Sequence, residues 1–520
     1  MRVLAQLLAL FALQMGALQP APCRAEGRAG KGPAAPAGPR SVLPFSYDDY
    51  PAARARAQRE SKILIVEAWA TWCHTCQSMR SFVFPDPVLR AVADRFVYVA
   101  LDTDRPVNMP FIERFPINSW PTMLALDPGR AANPLSDERV LARWTGAMTA
   151  PELLMRLQRL TMQSEGVDRL LEQADAAAAD GRWDVAAPLY AAAAQQSVVD
   201  RPRALLGQIQ ALRERGDYNA CADLVETSLA ATGNGAAATD FAAYAASCLD
   251  HLDDADRRQR LRQGLRNYLV SLVHDPQAPL SVDDRSDGFG TLIELCDALG
   301  DRAAGDRHAD ARLRMLEAAA NAARSPQEAA TFDLHRLDSY RRLRRYAEAE
   351  RMLIASVKAL PGDFNAPTRL ARLYYDMGRL EEALHYVNDA LSKAYGPRRA
   401  TLLELQANVR AALGQTREAV QSLLQAISVV ESMPVRNEYK LALLRKQITA
   451  MQSILMSNAA KGPRSEGGPR PTPVPAQLQR PVAAAALPLS PVAGRRLAHQ
   501  GRDGRLGAAL HVLSEPVAAK

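Results

Sequence analysis

Apolar positions along this 520-residue chain follow two different patterns. Near the start, Ile63-Leu64-Ile65-Val66 is a short, continuous, β-branched run, as expected of a buried strand. A helix-compatible stretch, Gln77 to Phe82, comes soon after it. From about Val167 onward strand signals vanish, and Ala, Leu, Arg and Glu dominate with apolar residues at helical spacing. A unit recurs within that helical part. Gly181-Arg182-Trp183 with Ala186 returns 35 residues later as Gly216-Asp217-Tyr218, with Cys221 in the alanine slot. Arg344-Arg345-Tyr346 with Ala349, Gly378-Arg379-Leu380 with Ala383, and Gly414-Gln415-Thr416 with Ala419 follow at spacings of 34 and 36. The small residue lets two helices approach, the bulky one fills the gap, and the glycine makes the turn. Between about 240 and 330 the pattern stays helical but its register is lost, and 436–458 reads as a capping helix.

The two ends differ from this body. Met1-Arg2, the apolar run Val3 to Leu18, and Cys23-Arg24-Ala25 have the layout of a secretory signal peptide over residues 1–25. Residues 26–44, rich in Gly, Ala and Pro, read as a linker, and 459–520 as a disordered Pro/Ala/Arg-rich tail. The net charge of +7 is misleading by itself, because 461–520 carries +6 and 1–40 carries +4. The body is therefore mildly acidic, at −3, and no nucleic-acid binding is expected. After signal removal no integral membrane span is expected, and the destination is the periplasm or cell envelope.

The chemistry concentrates at Trp72-Cys73-His74-Thr75-Cys76. A strand that ends in Cys-x-x-Cys and opens a helix puts the first sulfur at a helix N-terminus. Unpaired N–H groups and the helix dipole there stabilise a thiolate, the species that attacks disulfides. Zinc would need two further ligands at metal-like spacing. No second Cys-x-x-Cys exists, Cys23, Cys221, Cys248 and Cys296 are scattered, and the histidines are dispersed. No cofactor and no metal is expected, since the cysteines are themselves the redox centre.

Residues 45–163 resemble a thioredoxin-like domain of the periplasmic thiol–disulfide interchange type. The resemblance rests on Ile63 to Cys76 with Trp69 and Trp72, on Phe84-Pro85-Asp86-Pro87-Val88, on Ser119-Trp120-Pro121-Thr122, and on Gly146. It implies a catalytic pair, Cys73 attacking and Cys76 resolving, that forms a redox-active disulfide. It also implies a buried Glu67 able to take the Cys76 proton, and a cis Pro121 offering a backbone edge to a substrate strand. His74 and Thr75 replace the usual Gly-Pro. His74 either stabilises the thiolate or is a solvated loop residue, and the redox direction stays open. Ala100 stands about where many thioredoxins carry a lysine near the buried carboxylate. Residues 167–458 resemble a tetratricopeptide-repeat array, whose period is about 34 residues. The fold class is thus an α/β thioredoxin-like domain followed by an all-α tetratricopeptide-repeat solenoid.

Two functional readings follow. One is an exported thiol–disulfide oxidoreductase acting on a client protein with thiols or a disulfide. It would work with an unidentified redox partner, and a peptide or protein ligand would sit on the concave face of the repeats. The other is a non-enzymatic envelope scaffold or adaptor using both parts as binding modules. Whether Cys221 and Cys248, on successive helices, pair is left open, with Cys296 left over if they do.

Overall fold

A computed structural model describes residues 41–129, 138–162, 166–433 and 437–460. The expected signal peptide, most of the linker and nearly all of the tail lie outside them.

The first part is a five-stranded sheet. Its strands are β1 (Phe45–Tyr47), β2 (Leu64–Trp69), β3 (Val97–Asp102), β4 (Thr122–Asp127) and β5 (Arg139–Thr145), in the spatial order β1-β3-β2-β4-β5. Strand β3 runs parallel to β1 and β2, while β4 is antiparallel to both β2 and β5. Both faces are covered, which is why β2 reads as an unbroken apolar run rather than an alternating one. On one side Leu64, Val66, Val99 and Leu101 meet α1 (Tyr50–Glu60) and α3 (Met109–Arg114) through Ala53, Ala57, Phe111 and Ile112. On the other side Ile65, Tyr98 and Met123 meet α4 (Ala150–Arg159), through Leu153 and Leu157, and the segment after α2 (His74–Ser78). That segment, Met79–Val83, is a π-helical turn closed by Phe84 N–H donating to the Met79 carbonyl at 2.9 Å. The linker ends earlier than expected, because Leu43 is buried in this core and Val42 N–H donates to the Phe84 carbonyl.

Helices in antiparallel pairs follow. The pairs are α5 (Val167–Ala179) with α6 (Trp183–Gln196), α7 (Arg201–Arg215) with α8 (Tyr218–Ser228), and α9 (Ala236–Leu249) with α10 (Ala255–His274). Next come α11 (Val282–Ala298) with α12 (Arg302–Asn321), then the single turn α13 (Pro326–Ala330), then α14 (Asp333–Arg342) with α15 (Tyr346–Ala359). The array ends with α16 (Asn365–Asp376) and α17 (Leu380–Lys393), α18 (Gly396–Ala412) and α19 (Thr416–Glu431), and the closing helix α20 (Glu438–Ala460). Each motif position read from sequence is a turn with positive φ: Gly181, Gly216, Arg344, Gly378 and Gly414. The small residues Ala186, Cys221, Ala349, Ala383 and Ala419 are fully buried between helices. Two further units, α9 with α10 and α11 with α12, escaped the sequence pattern, the second narrowly. Gly300 has the same positive φ and Gly305 takes the small-residue slot, but Arg302 stands where an aromatic or Leu was sought.

Cys221 on α8 and Cys248 on α9 form a disulfide, with Cα atoms 6.2 Å apart, and Cys296 is a buried free thiol. Among the described residues no helix is long and apolar enough to cross a membrane.

Candidate active site

Strand β2 ends at Trp69, and four residues later Cys73 caps α2. Its backbone is extended, and its Sγ accepts from Cys76 N–H at 3.0 Å. That contact places the sulfur at the helix N-terminus, where the unpaired N–H groups favour negative charge. Cys73 and Cys76 form a disulfide with Cα atoms 5.2 Å apart. They pack in one cluster with Trp69, Ala70 and Ala100, and Trp72 and Trp120 lie against it. The Trp120–Pro121 bond is cis, and the Pro121 carbonyl accepts from Gly146 N–H at 3.0 Å.

Glu67 is completely buried in β2, with Ala100 as its neighbour on β3 and Met123 on β4. No lysine is present at Ala100, but a different cation reaches the carboxylate. Arg80, from the π turn, lies with Nη1 3.0 Å from Glu67 Oε2, and its guanidinium stacks 3.9 Å above the Trp69 ring. Burial raises the Glu67 pKa from 4.5 to about 7, against the opposing pull of Arg80. Its other oxygen, Oε1, meets no donor among the described residues. Glu67 is thus poised to hold or pass a proton near neutral pH.

The helical array covers this end of the domain. The first helix of each pair touches it. On α5 and α7, Asp175 accepts from Arg143 N–H at 2.9 Å, and Gln210 accepts from the Arg143 side chain at 3.2 Å. On α9, Tyr244 donates to Ser119 Oγ at 3.1 Å. On α11, Asp283 Oδ1 lies 3.1 Å from His74 Nδ1, and on α14 the His335 ring centroid is 4.0 Å from that of His74. On α16, Asn365 donates to the Thr71 carbonyl at 3.0 Å. On α18, Arg398 lies 3.7 Å above the Trp72 ring. Just before α18, Tyr395 donates to Asp102. Along these contacts the first helices of the repeats face the chain's own domain. Cys73, packed with Trp69, Ala70, Cys76 and Ala100 and flanked by these array contacts on Thr71, Trp72 and His74, is only 5 % exposed.

The sequence-derived residues therefore divide. Cys73, Cys76, Trp72 and Trp120, next to the cis Pro121, lie together, and Glu67 is buried. His74 is not a solvated loop residue. Burial opposes its protonation, but the carboxylates of Asp287 and Asp283 outweigh burial and raise its pKa to about 9. His335 beside it is pushed well below the ordinary value, first by burial and then by the charge of His74. The histidines that looked dispersed thus include two that meet at the active site. Trp72 Nε1–H donates to Asp104 at 2.8 Å, and burial with the neighbouring Asp102 raises the Asp104 pKa to about 7. Arg80, Asp104, Asp283, His335, Asn365 and Arg398 were not singled out from sequence.

A family model described as thioredoxin-like matches residues 46–128, and a tetratricopeptide-repeat model matches residues 341–408. Over 91 residues the chain is 31% identical to the thiol:disulfide interchange protein DsbD of Pseudoalteromonas atlantica, a stretch covering 17% of this chain and 15% of that relative. Among solved structures, a tetratricopeptide repeat protein from Parabacteroides merdae aligns at 17% identity and a TM-score of 0.36, covering 54% of this chain and 97% of that one. A thioredoxin from Thermus thermophilus aligns at 26% identity and a TM-score of 0.20, covering 22% of this chain and 86% of that one.

Proposed function

We propose that this chain, a thioredoxin-like domain joined to tetratricopeptide repeats, is an exported thiol–disulfide oxidoreductase of the cell envelope. The observation that carries this is the Cys73–Cys76 pair at the start of α2, with a buried carboxylate in the adjoining strand and a cis proline following Trp120. In the reducing direction the Cys73 thiolate attacks a client disulfide and forms a mixed disulfide. Cys76, losing its proton to Glu67, then attacks Cys73 Sγ, closes the intramolecular bond and releases the client thiolate. The oxidising direction is the reverse, with the same bonds and the same proton. The Cys221–Cys248 disulfide supports an oxidising compartment, in keeping with the expected signal peptide.

The array would govern access. With Cys73 almost covered, a client is expected to enter as an extended segment or to displace the first helices of the repeats. That cover also favours a second reading, in which the domain is a structural post inside an envelope scaffold. One experiment separates the two. In the enzyme reading, Cys76→Ala accumulates mixed disulfides through Cys73 in envelope extracts, and the purified wild type exchanges dithiols with disulfides. No trapped species and no exchange, together with a cysteine-free variant that still supports the biological role, would leave the scaffold reading standing.

A further inference from the structure

His74 and His335 lie far apart in sequence, yet their rings meet beside Cys73 in matched orientations. His74 Nδ1 faces Asp283 Oδ1 at 3.1 Å, and His335 Nδ1 faces Ser286 Oγ at 2.8 Å. When each Nδ1 carries the ring proton toward its oxygen, both Nε2 lone pairs are free on the opposite edge. Those two atoms converge on a single oxygen. Asp287 Oδ1 is 3.7 Å from His74 Nε2 and 3.4 Å from His335 Nε2. Metal–ligand bonds of about 2.0–2.1 Å in a tetrahedron set ligand atoms roughly 3.3–3.4 Å apart. Each nitrogen-to-oxygen separation is therefore close to an edge of such a tetrahedron. His74, His335 and Asp283 also present ligand atoms all within 4.8 Å of one another.

The surroundings suit a cation. Three carboxylates from the first two turns of α11, Asp283, Asp284 and Asp287, are set against the guanidiniums of Arg312, whose Nε donates to Ser286 Oγ at 2.8 Å, and of Arg369 on the His335 side. Asp284 is committed to the helix cap at Ser281, which leaves Asp283 and Asp287 facing the rings. A histidine that binds a metal through one nitrogen usually gives the other N–H to an oxygen that fixes the ring. Asp283 and Ser286 occupy those supporting places.

We propose that His74 Nε2, His335 Nε2 and the Asp287 carboxylate form a binding site for a divalent ion of the zinc class, held in place by Asp283 and Ser286. Imidazole and carboxylate ligands suit such ions, and three protein ligands leave a fourth position open. The ion would bridge α2 of the domain to α11 and α14 of the array. It would pin the cover at the residue next to the attacking sulfur.

The test uses the untagged full chain with Cys73–Cys76 kept oxidised, so that no thiolate of that pair contributes. Equilibrium dialysis against Zn²⁺ is expected to load one ion per chain and to raise the melting temperature. Asp287→Asn alters a partly exposed side chain and should keep the fold, yet lose both effects. His335→Gln should likewise lose the ion. Asp283→Asn, which removes a supporting partner, should weaken binding by roughly 10–100-fold. The Co²⁺-loaded protein should show a spectrum without a thiolate charge-transfer band. Absence of bound ion in the oxidised wild type, unchanged binding in Asp287→Asn, or a thiolate band would each overturn the proposal.

Discussion

Glu67 shows how one buried side chain couples acidity to function. Its pKa is 4.5 when solvated and about 7 in the fold, so between these values the folded chain keeps a proton that the unfolded chain has released. Stability then falls as pH rises through that window, by about 3 kcal/mol, and is flat above it. Glu67→Gln should abolish this slope, which urea unfolding of both proteins between pH 4 and 8 would reveal; parallel curves would refute the assignment. The same variant should slow the resolving step and erase a kinetic limb near pH 7 in stopped-flow exchange assays. The carboxylate was legible in sequence because it interrupts an apolar strand six residues before Cys73. Its counter-ion was not, because Arg80 reaches Glu67 only through a π turn that no local pattern announces. His335 was illegible for a different reason. Its partners, His74 in the domain and Ser286 on α11, are 261 and 49 residues away, and α11 lies in the stretch where the repeat register was lost.

At the scale of elements, the contact between α18 and the domain depends on a single glycine. Gly396 opens the helix at φ +56°, and a Cβ there would run into the Asp104 backbone carbonyl. Alanine is disfavoured both by that conformation and by that neighbour, so Gly396→Ala should cost roughly 1–3 kcal/mol in denaturant unfolding. Gly362→Ala is the control, since nothing lies within 4 Å of the added carbon and its φ is not positive; it should change little. An equal response from the two variants would refute the packing argument. Helix pairs were legible where an Ala, or Cys221 in its place, stood five residues past the turn, in four of five cases with a bulky residue between them. The unit at Gly300 was missed because Arg302 replaces that neighbour, although the turn geometry is the same. Nothing in the helical periodicity said which face of the array would be covered, because both faces of a repeat carry apolar residues.

For the whole molecule, the cover over Cys73 is the feature that distinguishes this chain from an open thioredoxin-like domain. Arg398 over Trp72 and Asn365 on the Thr71 carbonyl hold two of its edges. With each contact worth about 1 kcal/mol, Arg398→Ala combined with Asn365→Ala should raise the open population roughly tenfold to thirtyfold. Alkylation of reduced Cys73 by a bulky maleimide should accelerate to match, while a small reagent gains less; equal rates in wild type and variant would show that the edges do not gate access. Repeat arrays normally have only nearest-neighbour contacts, so that each unit's stability concerns the next one alone. Here the first helix of every pair from α5 to α18 also touches one shared body. That body is made first, since the domain precedes the repeats in the chain and leaves the ribosome before them. Each unit's stability is then tied to that shared body as well as to its neighbour, so loosening the domain should loosen every unit at once.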